Sequence, residues 1–333
     1  MSQFAAEIRE LVDDLVRRGA DGERAALWAQ LRELGLPRVG VGEALGGSGG
    51  TFDDLLVLVA ALAGHGVGQP VIEASAADWV LSHAGPLDER FSTLVLLDGP
   101  LDHALTGDGT LHVELASVPW ARDADRLVIC APGAGPVVVD LDHPSVTVRP
   151  GDDLAGDPRD TVLLVGTPAA EIDAAPGYGR IRARTAVLWS TAVTGAAQGA
   201  YRLTKSYVSE RQQFGAPLLK IPAVAGGLAL MRVELIQADA ALAHARDAGV
   251  SADTAAIARI VTARTATAVA RAAHQLHGAM GVTEEYPLHR FTRRLWAWRD
   301  AVDSERRWAE DLGGRAADAG ESGVWTRLTD AGG

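Results

Sequence analysis

From Thr185 onward the chain is a run of long, Ala-rich segments with helical apolar spacing, near 185–209, 218–247, 251–276 and 288–312, joined by short connections. Segments that each bury one stripe at a period of 3.6 residues, with little chain between them, pack antiparallel against one another. The pattern predicts a C-terminal four-helix bundle over 183–313. Residues 314–333, rich in Gly and Asp, read as a loose tail.

Upstream the pattern is different. Residues 1–90 read as an N-terminal helical domain. Its first helix carries Phe4, Ile8, Leu11, Val12, Leu15 and Val16 on one face, and its second carries Leu27, Trp28, Leu31 and Leu34 and stops at Gly35. Two more are expected at Phe52–Ala63 and Val71–Ser82. Between 91 and 182 short apolar runs begin at 93, 110, 126, 136 and 161, separated by Gly, Asp and Pro, with no helix-length segment between them. That spacing predicts a small antiparallel β middle domain and not βαβ units. The expected fold class is α+β, mostly α.

Charge and cysteine content narrow the function classes. With 43 acidic against 31 basic residues and a net charge of −12, the chain is poorly suited to nucleic acid or an anionic membrane. Cys130 is the single cysteine, so neither a disulfide framework nor a cysteine metal cluster is expected. The opening helix is amphipathic and unlike a signal peptide, and no apolar run reaches membrane-spanning length; the expected location is the cytoplasm.

Two motifs carry chemistry. Tyr201, Thr204, Tyr207 and Val208 keep helical spacing until Arg211, Phe214 and Gly215 end the run. An arginine at a helix end can meet a phosphate with its planar fork of donors, and the glycine lets a large ligand approach the backbone. Alone, the same residues also read as an ordinary helix stop with a solvated arginine. About sixty residues later come Gln275, Gly278, Gly281, Glu285, Tyr286 and Pro287. The ordered pair, R-x-x-F-G and then Q-x-x-G-x-x-G-x-x-x-E-Y-P, resembles the C-terminal helical domain of the flavin-dependent acyl-CoA dehydrogenases. The segment Trp28–Leu36 and the order of helices, β domain and bundle also resemble that family.

The resemblance implies FAD as cofactor and an acyl-CoA, fatty or steroid, as substrate, with a separate electron-transfer acceptor. It implies that Arg211, Phe214, Gln275, Gly278 and Gly281 bind FAD across a subunit boundary, although Pro222 stands where a glutamine is common. α,β-Dehydrogenation needs a carboxylate base in a water-poor site. The two positions where the family places that glutamate fall on Val302 and Thr185 in this sequence. A shift of one residue from the first of them offers Asp303, and Glu305 lies within one helical turn. Segments like T-E-P-x-A-G-S-D and W-I-T-N, which hold the flavin ring and the thioester, are absent between Phe91 and Gly177. The chain therefore resembles the short, non-catalytic subunit of heteromeric α2β2 enzymes, completing the FAD site of a longer paralogue. Two other readings stay open: a self-sufficient homotetramer using another carboxylate, and a non-catalytic assembly or acyl-CoA-binding protein.

Other signals are set aside. Gly46-Gly47-Ser48-Gly49-Gly50 satisfies G-x-S-x-G, but a nucleophile elbow needs a buried strand before it, and a polar turn precedes this one. His274 and His277, with Glu284 and Glu285 nearby, lack the second helix pair of a bundle metal site, so no metal is expected. Trp296, Trp298 and Trp308 read as core or interface filling.

Overall fold

The computed structural model describes residues 3–18, 24–101, 107 and 109–330. It divides into two compact units, Met1–Leu62 with Val67–Thr185, and Ala63–Gly66 with Ala186–Gly333. The second division lies between Thr185 and Ala186, within the helix that opens the bundle.

Four helices open the first unit: α1 (Gln3–Arg18), α2 (Arg24–Glu33), α3 (Phe52–Gly64, ending in the second unit) and α4 (Val71–Leu81). The strands follow as β1 (Ser92–Leu96), β2 (Thr110–Pro119), β3 (Arg126–Cys130), β4 (Val137–Asp140), β5 (Val146–Arg149), β6 (Arg159–Pro168) and β7 (Ala170–Glu171). They form two sheets, β1-β3-β4-β7 and β2-β6-β5. Leu111, Leu115 and Val118 of one meet Leu127, Ile129, Val137 and Val139 of the other in a single core. All pairings are antiparallel except β1 with β3, which run parallel and correct the wholly antiparallel expectation. The physical reason is burial on both faces. β1 and β3 are buried nearly throughout, and α4 covers their other side through Ala76, Ala77 and Val80 against Leu94 and Val128. Strands covered on both faces suit parallel pairing. The same contacts explain why the N-terminal helices and the strands share one unit.

The bundle begins with α5 (Tyr178–Glu210), followed by a hairpin of β8 (Gln212–Gln213) and β9 (Ala216–Pro217), then α6 (Pro222–Asp247), α7 (Ala252–His277), α8 (Leu288–Trp298) and α9 (Glu305–Asp330). In the second unit α7 is the hub, packing on α6, α8 and α9. Its Ala256, Ala263, Ala266 and Ala270 are all buried, and small side chains let helices approach closely. Gly199 of α5 is pressed harder still. A Cβ there would stand 2.2 Å from the Phe291 ring and 2.6 Å from the Gly64 carbonyl oxygen.

The helix expected over 288–312 is two helices, broken at 299–304. Arg259, buried in α7, donates from Nη2 to the carbonyls of Trp298 (3.1 Å) and Arg299 (2.5 Å), taking acceptors that end α8. Asp303 then turns left-handed at φ +69, and Trp308 Nε1 donates to Val302 O at 2.5 Å. The stretch expected as a loose tail is helical in α9 as far as Asp330, with Gly320 outside helical geometry at φ +66; residues 331–333 lie outside the described residues.

Two buried carboxyls of α4 stand out. Glu73 is buried with neither oxygen hydrogen-bonded, 3.6 Å from Arg159, and burial raises its pKa to about 7. Asp78 lies 3.4 Å from Arg38, and burial outweighs that pairing, raising it to about 6. Both folded pKa values exceed the unfolded ones, so their stabilisation is fully present below about pH 4 and is lost progressively as pH rises to about 6 to 7. For Glu73 alone the loss is on the order of 2–3 kcal/mol. Urea denaturation should show unfolding free energy falling between pH 5 and 8, with a flatter slope for Glu73→Gln; equal slopes would show that Glu73 does not titrate in that window.

Candidate functional site

The two sequence motifs meet at one end of the second unit. α5 stops where the Arg211 N–H makes its last bond to Tyr207 O (2.8 Å), and the chain reverses through the β8–β9 hairpin, closed by Leu218 N donating to Arg211 O (2.8 Å). The two turn residues, Phe214 and Gly215, have φ +53 and +78. Consecutive left-handed residues define a type I′ turn, for which Asn-Gly is the favoured pair. Phenylalanine is a strained choice there, and its side chain is 92% exposed.

Aromatic stacking joins this turn to the second motif. Tyr207 stacks on His277, the last residue of α7, at 4.5 Å and 22° between ring planes, and Tyr286 packs against both at 5.5 and 5.0 Å. Tyr207 Oη donates to His277 O at 3.4 Å. His277 Nδ1–H donates to Ala273 O at 2.8 Å, and burial pushes the imidazole pKa below its ordinary value, so the ring stays neutral within the stack. Burial is also the leading cause that raises the Tyr286 pKa, with Glu210 adding to it.

Beyond His277, Gly278 takes φ +59, ψ −137, with open space where a Cβ would point. Gly281 is different: a Cβ there would approach His277 Cβ to 2.9 Å, so this glycine is required by packing. Gln275 and Gly278 line a cavity of about 520 Å³ together with Arg271, His274 and Trp296. Sequence reasoning missed the last three. The signal was present in the helical spacing, since Arg271, His274 or Gln275, and Gly278 recur on one face of α7.

The candidate bases fall elsewhere. Glu305 Oε1 accepts from Arg264 Nε at 2.6 Å. Arg264 and Gln275 are separated along α7 by about 16 Å at 1.5 Å per residue, so the structure does not bring Glu305 to the motif cavity. Asp303 is half-buried in the α8–α9 break. Val302 and Thr185 are both buried, and Thr185 Oγ1 has no hydrogen-bond partner among the described residues. Of the histidines weighed for metal, His274 Nε2 bonds Thr292 Oγ1 (3.0 Å). Among the described residues no three His, Cys, Asp or Glu side chains gather as a metal site. Ser48 of the G-x-S-x-G match donates to Gly35 O at 2.7 Å, inside a loop.

The fold is thus a set of N-terminal helices and two facing sheets in the first unit and a helical bundle in the second, with the two sequence motifs brought together at one helix end. Residues 182–299 match the family described as acyl-CoA dehydrogenase, C-terminal domain. Acyl-CoA dehydrogenase FadE34 of Mycobacterium tuberculosis is 28% identical over 340 residues, covering 97% of this chain and 46% of that protein, so the chain spans about half of FadE34's length. FadE28 of the same organism is 27% identical over 294 residues, 81% of this chain and 86% of that protein. The crystal structure of the ChsE4-ChsE5 complex from M. tuberculosis superposes with a TM-score of 0.83 at 19% identity, over 95% of this chain and 98% of that one, a likeness of fold. Over residues 182–299 the chain is thus similar to the C-terminal domain of the acyl-CoA dehydrogenases, and over most of its length it resembles relatives of that name.

The turn geometry has a measurable consequence. A left-handed L-residue costs roughly 1–2 kcal/mol, which Asn offsets in part, so Phe214→Asn should raise the unfolding free energy by about 0.5–1 kcal/mol. Equilibrium denaturation of the isolated chain measures this, and a destabilised Phe214→Asn would show that the exposed ring contributes to the fold.

Proposed function

We propose that this chain works in the α,β-dehydrogenation of an acyl-CoA thioester as one subunit of a FAD-dependent enzyme, completing the FAD site of a longer paralogue. The observation that carries the reading is Phe214: a large apolar ring, strained in its backbone and left uncovered by its own chain, beside an exposed Arg211. Such a tip is explained by insertion into something else. An uncharged stripe on α6 with exposed Leu230, Val233 and Ile236 supports association with a second chain, since exposed apolar helix faces mark interaction sites. ChsE4-ChsE5, a complex of two proteins, is a precedent in a similar fold.

The residues present fit one half of a FAD site. Around a cavity left open at Gly278, Arg271 supplies a guanidinium group suited to a pyrophosphate, Gln275 an amide and Trp296 an aromatic wall, and exposed Arg211 at the end of α5 supplies a second guanidinium. The Tyr207–His277–Tyr286 stack holds the two motifs in fixed relation, so the arginine and the Gln275 loop are preorganised together. Bound FAD would supply the hydride acceptor, and electrons would leave through a separate electron-transfer acceptor. The proton from the carbon next to the thioester needs a carboxylate that this chain does not offer at either family position, because Val302 and Thr185 stand there and Glu305 is engaged by Arg264. The base is assigned to the paralogue.

The test is co-expression with the longest homologue encoded nearby. The pair should purify yellow and tetrameric, and Arg211→Ala should lower FAD per complex by at least fivefold while leaving the denaturation midpoint of the chain unchanged. Asp303→Asn and Glu305→Gln should keep turnover of acyl-CoA substrates within twofold. A yellow, active homotetramer of this chain alone, disabled by either carboxylate change, would overturn the heteromeric reading. Absence of FAD from every complex would leave the assembly or acyl-CoA-binding alternative.

A further inference from the structure

Arg184, near the start of α5, has no acceptor of its own. Its guanidinium lies between two aromatic rings of the first unit, with the central carbon 3.9 Å from the Phe52 centroid and 4.6 Å from that of Trp79. Nε is buried without a hydrogen-bond partner, and no carboxylate pairs with the group among the described residues. Arg180, one turn earlier, sits over the same Trp79 ring at 5.7 Å and adds repulsion instead of relief. Burial, with that repulsion, lowers the Arg184 pKa to about 10.

Other shielded arginines of this unit are satisfied differently. Arg38 has Asp78 at 3.4 Å, Arg122 has Asp160 at 2.5 Å, Arg126 has Asp88 at 2.8 Å and Arg159 has Glu73 at 3.6 Å. A shielded cation ordinarily finds such a partner, because desolvation without one is costly. Arg184 has two ring faces in place of a carboxylate. Cation–π contacts occupy the flat faces of a guanidinium and leave its edge, where the N–H groups point, for a planar acceptor.

Nε is buried, so the accessible part of that edge lies at the Nη groups. The Arg184 side chain is partly exposed, and Nη2 lies 3.6 Å from the place where a Cβ would stand on Gly40, a residue at φ +90 that carries none. We infer that Arg184, clamped by Phe52 and Trp79 and assisted by Arg180, is a binding site for an oxyanion, a phosphate or a carboxylate, accepting from the guanidinium edge. The rings fix the fork in one orientation, so little side-chain entropy remains to be lost when the anion arrives. The site lies wholly within the first unit and is independent of the flavin reading.

The test uses the full chain, with sodium phosphate, sodium acetate and sodium chloride compared at equal ionic strength by thermal unfolding and isothermal titration calorimetry. Phosphate, acetate or both should bind where chloride does not, with Tm rising by about 2–4 °C at ten times Kd. Phosphate alone would identify a phosphate ligand; acetate alone would identify a carboxylate, free or on a partner's side chain. Arg184→Lys keeps the charge but not the fork and should weaken binding at least fivefold. Exposed Arg180→Gln should weaken it about two- to threefold without affecting folding. Arg184→Gln should abolish it. Equal responses to all three salts in the wild type, or unchanged affinity in both Arg184→Lys and Arg180→Gln, would overturn the assignment.

Discussion

Burial along α5 is the constraint on which the rest depends. From Ala183 to Ala200 nearly every residue of this helix is shielded, including Ala186, Val187, Leu188, Val193, Ala196 and Ala197 at 0–3% exposure. A helix buried all round cannot be held by one partner surface and must be packed from several sides. It contributes Ile181 to the core shared with α4 and the first sheet, and in the second unit Trp189 meets Trp298 at 5.7 Å. Its small residues are what make such packing possible. From Arg202 onward α5 exposes polar residues again, and at its end, past Glu210, the candidate site begins.

The site combines rigidity with exposure. The Tyr207, His277 and Tyr286 rings lock the ends of α5 and α7 together, and Gly281 is compressed against His277. Against this fixed base the hairpin projects a ring in a backbone conformation that phenylalanine disfavours. Strain kept in a solvent-exposed turn does nothing for the isolated chain, and residues of that kind concentrate where another molecule is engaged.

Much of this was legible in the sequence because it rests on short-range rules. Helical spacing gave α1 to α4 and the course of α5 to α7 closely, with Gly35 and Ser251 marking ends through left-handed geometry and a capping box. The helix ends at Arg211, Phe214 and Gly278 were legible because glycine at fixed spacing marks where a helix stops. What escaped depends on partners far away in the chain. The break at 299–304 needs Arg259, about forty residues earlier, whose carbonyl acceptors no local pattern reveals. The parallel β1–β3 pair needs α4 on one side and a second sheet on the other. Nothing in the local pattern of Val71–Ser82 marks Glu73 and Asp78 as buried; packing places them beside Arg159 and Arg38. Stacking of Tyr207 on His277 joins residues seventy positions apart.

Gly199 bears on how such chains can diverge. A methyl group at this position meets the Phe291 ring and, independently, the backbone oxygen of Gly64. Shrinking Phe291 removes the first obstacle and not the second, since a carbonyl cannot be substituted away. Position 291 is therefore free to drift among smaller apolar residues at the cost of a cavity, whereas position 199 is closed to every residue with a Cβ for as long as the end of α3 crosses α5 at this height. Among descendants of this sequence the two sites should evolve at different tempos despite touching, the ring exploring alternatives around a glycine that stays fixed.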